Sequence, residues 1–134
     1  MDIYSVDKKN WFRVEQVFDE VTQYSSFLFE VYIDLGHSVF HSKNSDIQIF
    51  DINSFVNELN EFLMDRSLEP KLEGTYDSFL SFIGNNRDIQ ISFNIGSSYC
   101  SSETYSYSTS GKFEIDQEHL NEVLEFFMKT KSNV

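Results

Sequence analysis

The side chains with the widest use in catalysis and metal binding are scarce in this sequence: three histidines and one cysteine. His37 and His41 are four residues apart in a strand-like segment, so we expect them on one strand face. Zinc needs three or four protein ligands, and no further His or Cys stands at a supporting spacing. Cys100 lies in a Ser-rich stretch, and nothing pairs it with a base. The sequence therefore predicts no catalytic residue and no metal site.

Sequence motifs for other chemistries are also missing. The five glycines form neither a GxGxxG nor a Walker pattern, which argues against a phosphate cradle. The many serines lack the GxSxG elbow of hydrolases. We therefore expect no cofactor and no enzymatic activity.

Carboxylates are the abundant charged groups. The chain has 22 Asp and Glu against 10 Lys and Arg, which gives a net charge of −12. A field of this sign repels nucleic acid and anionic membranes and attracts basic proteins. Acidity of this kind also suits a small protein that only has to remain in solution.

Several acids recur at spacings of three and four in segments with helical periodicity. Such residues form either a solvated helix face or an anionic stripe for a basic partner. A Ser- and Tyr-rich segment at 97–110 has no counterpart in the first half of the chain and is a candidate specificity feature. From these segments we predict a partner-binding set: Glu58, Glu61, Asp65, Tyr99, Glu103, Glu118 and Glu122.

The elements that must position these residues are repeated. The sequence contains one pattern twice: an apolar residue and an Asp, followed by apolar residues at helical spacing. The first copy runs from Phe50-Asp51 to Phe62, and the second from Ile115-Asp116 to Phe127. The offset is constant, because 116 minus 51 and 127 minus 62 both give 65. Two halves, 1–66 and 67–134, are each marginal as separate domains, so we predict one domain with a shared core.

Each half alternates like β-strands and then changes to a helical period. Inward residues are predicted to include Phe18 at the end of one strand and Met128 in the last helix. The fold class is predicted as α+β: an antiparallel sheet of about eight strands with two amphipathic helices packed on one side or at its ends. Strands are predicted at 11–18, 27–33, 37–42, 46–50, 72–76, 79–83, 88–95 and 104–115, and helices at 51–65 and 116–131. Turns are predicted at 35–36, 43–45 and 84–86, a loop at 99–103, and a bend at Gly111.

The cellular compartment follows from what the sequence lacks. A single cysteine forms no intramolecular disulfide, which suits a reducing compartment. The first residues carry no apolar run behind a basic start, and no stretch approaches the roughly 20 apolar residues of a membrane span. We expect a cytoplasmic protein.

With this layout, the chain resembles the small immunity proteins encoded beside bacterial polymorphic toxins, above all the WapI-like group. The resemblance lies in the two meander-plus-helix units, in the helix entry from Phe50-Asp51 to Leu63, and in the run from Gly111 through Asp116-Gln117 to Leu120. It implies a cytoplasmic, non-enzymatic protein that binds and blocks one cognate toxin domain. Many such toxins are nucleases with a basic face that an acidic inhibitor can cover. The resemblance carries over no individual binding residue.

Two other functions stay open from the residues alone. One is a small-ligand-binding or accessory domain with a concave sheet face lined by Tyr32, Tyr76, Tyr105 and Tyr107. The other is an enzyme, which requires Cys100 or two carboxylates in a cleft beside a base.

Overall fold

In a computed structural model, which describes residues 1–85, 87–98 and 107–132, the chain forms two four-stranded antiparallel sheets and two helices. This confirms the predicted α+β fold with eight strands. The first sheet has the order β1 (Asp2–Tyr4), β2 (Trp11–Asp19), β3 (Tyr24–Asp34), β4 (Val39–Ile47). The second has the order β5 (Lys71–Glu73), β6 (Phe79–Gly84), β7 (Ile89–Gly96), β8 (Ser108–Ile115). Helix α1 (Ile52–Phe62) follows β4, and α2 (Leu120–Ser132) follows β8 after a 3₁₀ turn, Gln117–His119.

Two short bridges join the sheets at their edges and repeat the same geometry in the two halves. Ser5, just after β1, bridges Ile115 at the end of β8, and Gly74, just after β5, bridges Ile49 after β4. The backbone bonds beside the bridges also match: Val6 N–H donates to Glu114 O at 3.1 Å, and Thr75 N–H to Gln48 O at 2.9 Å. The same bridge geometry therefore joins the end of the first strand of each sheet to the end of the last strand of the other.

One hydrophobic core spans both halves. The inward parity of β7 is buried as predicted: Ile89, Ile91, Phe93 and Ile95. Across the sheets, the rings of Phe12 and Phe93 lie 5.3 Å apart. Alternation with period two decides which side chains enter this core.

The helices begin where the sequence predicts. Asp51 accepts a hydrogen bond from Ser54 N–H at 3.1 Å, and Asp116 accepts one from Glu118 N–H at 3.0 Å. These bonds satisfy amides that the first helical turn leaves without partners. The apolar stripe of α1 is buried: Ile52, Phe55, Val56, Leu59 and Phe62. The ring of Phe127 on α2 meets Phe55 edge to face at 4.9 Å.

The predicted turn at 43–45 and the separate strand at 46–50 are wrong. Strand β4 continues to Ile47 and contains a bulge, because Phe29 pairs with Asn44 whereas Phe27 pairs with Ile47. Asn44 Oδ1 accepts a hydrogen bond from Asp46 N–H at 2.8 Å inside the strand. These polar residues therefore bond to each other within a bulge of β4 and do not form a turn that reverses the chain.

The strand predicted at 72–76 also ends early, at Glu73. Tyr76 and Asp77 have φ angles of 61° and 58°, which is a left-handed turn conformation that a strand excludes. The predicted loop at 99–103 lies outside the described residues. So does the start of the strand predicted from 104, of which Ser108–Ile115 is described.

Three side chains do not lie where the periodicity predicts. Phe18 is 56% exposed, because the end of β2 reaches past the core towards the 20–23 turn. Met128 is 52% exposed, since the buried face of α2 follows Leu120, Val123, Leu124 and Phe127 and is narrower than predicted. His37 lies in the turn before β4, so it does not share a strand with His41.

Gly111 does not break the strand, because the pairing of β8 with β7 is continuous through it. A Cβ at this position would lie 3.1 Å from Cζ of Phe93. The glycine therefore makes room for a core ring.

Candidate functional site

Strand register on the outer face of the first sheet aligns two rows of side chains across all four strands. Since residues of one row are direct cross-strand neighbours, their side chains meet on the surface. The first row is Tyr4, Trp11, Tyr32 and His41; the second is Asp2, Arg13, Glu30 and Lys43. Five of these residues contact one another and form what we name the outer cluster: Trp11, Arg13, Glu30, Tyr32 and His41.

Glu30 is the centre of the outer cluster. Although it is charged and on an outer face, Glu30 is only 8% exposed. It accepts hydrogen bonds from Arg13 Nη1 at 3.1 Å and from His41 Nε2 at 2.6 Å. A carboxylate this buried is stable only with such partners.

Arg13 is held from a second side by Asp2. Its Nε and Nη2 donate to the two carboxylate oxygens of Asp2 at 2.7 and 3.1 Å, the paired geometry that suits a guanidinium. The bond to Arg13 lowers the pKa of Asp2, and the Asp2 carboxylate raises the pKa of Arg13. Both groups therefore stay ionised in the folded protein at neutral pH.

Trp11 and Tyr32 make the aromatic part of the outer cluster. Their ring centroids lie 5.7 Å apart with an interplanar angle of 7°, and His41 approaches the edge of Trp11 at 6.4 Å. The Arg13 guanidinium carbon lies 4.6 Å from the centre of the Trp11 ring. Stacking and cation–π contact fix these side chains in place before any partner arrives.

The second sheet shows that the fold does not require this cluster. The cross-strand pair of buried residues Phe12 and Val31 in the first sheet corresponds to the pair Leu80 and Phe93 in the second. With these pairs aligned, the strand pairings of the two sheets match position by position. The ionic row of the first sheet then corresponds to Lys71, Ser81, Ser92 and Lys112, and the aromatic row to Glu73, Phe79, Asn94 and Ser110. Four of the five positions of the outer cluster thus carry Ser or Asn in the second sheet. The fifth, that of Trp11, carries Phe79, which has Lys71 4.4 Å from its ring centre.

Three side chains of the outer cluster are of types common at protein interfaces. Trp, Tyr and Arg are the residue types that dominate binding energy there. Within the described ranges, no group of three or more His, Cys, Asp or Glu residues has a metal-binding arrangement.

The described acids of the predicted partner-binding set lie on or beside the two helices, and two of them already have polar neighbours. Glu61, Glu118 and Glu122 are exposed, whereas Glu58 is half-buried. Asp65 accepts hydrogen bonds from the amide and hydroxyl of Ser67, and the hydroxyl bond lowers its pKa. Glu122 lies 3.0 Å from Nδ1 of His119. None of these acids contacts the outer cluster through a hydrogen bond or ion pair between described residues.

Four predicted positions fall outside the described residues: Tyr99, Cys100, Glu103 and Tyr105. Of the other tyrosines in the predicted ligand face, Tyr32 belongs to the outer cluster. Tyr76 lies in the β5–β6 turn, where its hydroxyl bonds to Asp46 at 3.0 Å. Tyr107 precedes β8 and is 59% exposed. Tyr76 and Tyr107 thus both lie near Asp46, with which Tyr107 lines a cavity, whereas Tyr32 lies on the outer face of the first sheet.

The sequence contained a partial signal for the outer cluster. Strand alternation places Trp11 and Arg13 opposite the core parity of one strand, and Glu30 and Tyr32 opposite that of the next. Trp11 is the only tryptophan of the chain, and the alternation places it on an outward face. This is unusual, because a tryptophan side chain is costly to expose. Periodicity does not predict the strand register, and it is the register that places the outward residues of two strands side by side.

No helix in the described part of the chain is long and apolar enough to cross a membrane. Comparisons of the chain with protein-family models, with curated proteins and with solved structures give no match.

Proposed function

We propose that this protein is a cytoplasmic, non-enzymatic immunity protein that binds a basic toxin domain and blocks it. The observation that carries the binding role is the outer cluster, a preassembled set of interface-type side chains, four of which correspond to Ser or Asn in the second half of the scaffold. The resemblance to WapI-like immunity proteins supplies the class of partner.

The charge of the chain selects the kind of partner. At a net charge of −12, approach to phosphate backbones or anionic lipid is unfavourable, and approach to a basic protein is accelerated. Exposed acids on the helical layer, Glu61, Glu118 and Glu122 among them, contribute to this long-range field. They steer the partner, and the outer cluster supplies short-range contacts.

The outer cluster is suited to binding because little order has to be created. Trp11 and Tyr32 are already stacked, and Arg13 is held by two carboxylates. Immobilising long side chains at an interface costs about 0.5–1.5 kcal/mol each, and a preorganised cluster avoids much of that loss. Half-exposed Tyr4 extends the aromatic row at its edge.

Capture of the product of the neighbouring gene, followed by co-expression with it, tests the proposal. We expect a complex and protection of the cells from toxicity. Tyr32→Ala should weaken the complex at least about tenfold, because it removes half of the aromatic stack. Its matched control is Asn94→Ala, at the equivalent outward position of the second sheet, which should bind like the wild type.

Two results would contradict this function. One is the absence of any toxin-like product of the adjacent gene together with no rescue by co-expression. The other is a complex that Tyr32→Ala and Asn94→Ala weaken equally, which would leave the outer cluster without a role in binding.

A further inference from the structure

The outer edge of β8 has backbone groups that no other described residue pairs with. Glu114 C=O accepts from Val6 N–H on the side of β8 that faces away from β7, and Tyr107 C=O accepts from Ser97 N–H on the β7 side. Because peptide groups alternate along an antiparallel strand, those of Ser108, Ser110 and Lys112 also point away from β7. No hydrogen bond among the described residues uses these outward groups.

This edge opens onto a cavity that is polar on the β8 side and apolar on the opposite side. The cavity has a volume of about 510 Å³ and is lined by Ser108–Lys112 of β8 on one side and by Ile33, Leu35 and Phe40 of the β3–β4 hairpin on the other. Inward-facing and outward-facing residues of β8 both line it, so it runs along the strand edge. Leu35 and Phe40 are 51% and 56% exposed, which leaves apolar surface uncovered beside unpaired amides.

The matching edge of the first sheet has a side-chain contact with the second sheet. There, the Asn44 amide crosses from β4 and donates to Gly96 O at 2.7 Å, and Ser98 Oγ donates to Asn44 Oδ1 at 3.1 Å. The residue of β8 equivalent to Asn44 is Phe113, which turns into the core. Among the described residues, no side chain of β8 makes such a bond to the first sheet.

We infer that the β8 edge captures an extended segment of a basic partner protein, which adds a strand beside Ser108–Lys112 and places alternate apolar side chains against Leu35 and Phe40. Main-chain bonds give such strand addition its affinity, and the pocket for alternate side chains gives its specificity. A second copy of this chain is a poor occupant, because each copy carries a charge of −12 and like charges oppose association. The inference rests on the proposed function only for the basic character of the partner.

The probe for this site is a fluorescently labelled peptide of alternating valine and threonine with lysines at both ends, and the readout is fluorescence anisotropy. We expect the wild-type protein to bind it. Ser110→Pro removes an outward N–H without touching the β7 ladder and should weaken binding at least about tenfold. Phe40→Asp should do the same by making the apolar side of the cavity polar, and it keeps the test valid if the proline variant does not fold.

Phe18→Asp is the matched control, since Phe18 is also 56% exposed on the first sheet but lies away from the cavity. It should bind the peptide like the wild type. The inference is overturned if the wild type does not bind the peptide, or if all three variants bind equally. It is also overturned if the amides of Ser110 and Lys112 are already protected from hydrogen exchange in the free monomer, or if sedimentation reveals a dimer that Ser110→Pro dissociates.

Failure of this inference is separable from failure of the proposed function. If the complex with the neighbouring gene product is unchanged by Ser110→Pro and Phe40→Asp, the strand-addition site is wrong and the proposed function stands. If the peptide binds but no toxin complex forms, the proposed function is wrong and the strand-addition site stands.

Discussion

At the scale of single residues, Glu30 explains why the outer cluster is rigid. A carboxylate that is 8% exposed has to be matched, and its two partners reach it from β2 and β4. Removing one partner of a buried ionic group costs more than the pair itself contributes, because the other charge remains desolvated.

Arg13→Met should therefore lower the free energy of unfolding by about 1–3 kcal/mol in urea titrations. This range is below the loss for a fully buried ion pair, because a third of the Arg13 side chain is exposed to solvent. Lys43→Met is the control, since Lys43 faces Glu30 in register but is exposed and makes no ion pair among the described residues. A loss as large in the control as in Arg13→Met would show that the charge balance, and not the buried pairing, matters.

The ion pair between Asp2 and Arg13 predicts a pH dependence. The folded pKa of Asp2 lies below its ordinary value of 3.8, so its contribution to stability is present above pH 3.8 and is lost as the pH falls through the folded pKa. Asp2→Asn should reduce the stability near neutral pH and flatten the decline between about pH 5 and 2. Unfolding followed by circular dichroism across this range measures both, and parallel curves for the two proteins would contradict the assignment.

At the scale of elements, the close approach of β7 to the β5–β6 turn leaves no room for a side chain at Gly96. A Cβ at Gly96 would clash with the backbone carbonyl of Tyr76, and the Gly96 N–H and C=O are both bonded, to Ser78 and Asn44. Backbone gives way less readily than a side chain, so the position is restricted by packing and not by its φ angle.

Gly96→Ala should lower the free energy of unfolding by more than about 2 kcal/mol. Gly111→Ala is the matched comparison, since its new methyl group would meet the Phe93 ring at 3.1 Å, and a ring can shift. We expect a loss of less than about 1.5 kcal/mol there. Equal losses by thermal and urea unfolding would mean that the backbone contact at Tyr76 is not a constraint.

At the scale of the whole molecule, the two halves share one core. Phe93 from the second sheet is 1% exposed and packs against Phe12 of the first, while Phe55 and Phe127 join the two helices. Bridges at both sheet edges add backbone links between the halves. Cooperative unfolding of both halves is the physical consequence.

Phe93→Ala should lower the free energy of unfolding by about 3–5 kcal/mol through the cavity it creates. Trp11 lies in the first half, so its fluorescence should report the same lowered midpoint as circular dichroism does for the whole chain. If the Trp11 signal keeps the wild-type midpoint while circular dichroism shifts, the halves are independent domains.

The sequence alone determined most of the scaffold, because the relevant signals are local. Alternation identified the buried face of β7, and helical spacing together with Asp51 and Asp116 identified where both helices begin. Local reasoning was wrong where tertiary contacts outweigh propensity. Asn44 lies in a bulge of β4, and its side-chain amide bonds to the second sheet, while Phe18 lies beyond the core.

Only the tertiary structure decided which outward residues act together. The outer cluster draws on three strands, and its contacts between strands join residues 9 to 30 positions apart, as with Tyr32 to His41 at 9 and Trp11 to His41 at 30. Periodicity tells which face a side chain is on, but a shift of register would give every outward residue a different neighbour. The open edge of β8 depends on the packing of the two sheets in the same way. The sequence therefore determined the faces, and the register and sheet packing determined the surfaces available for binding.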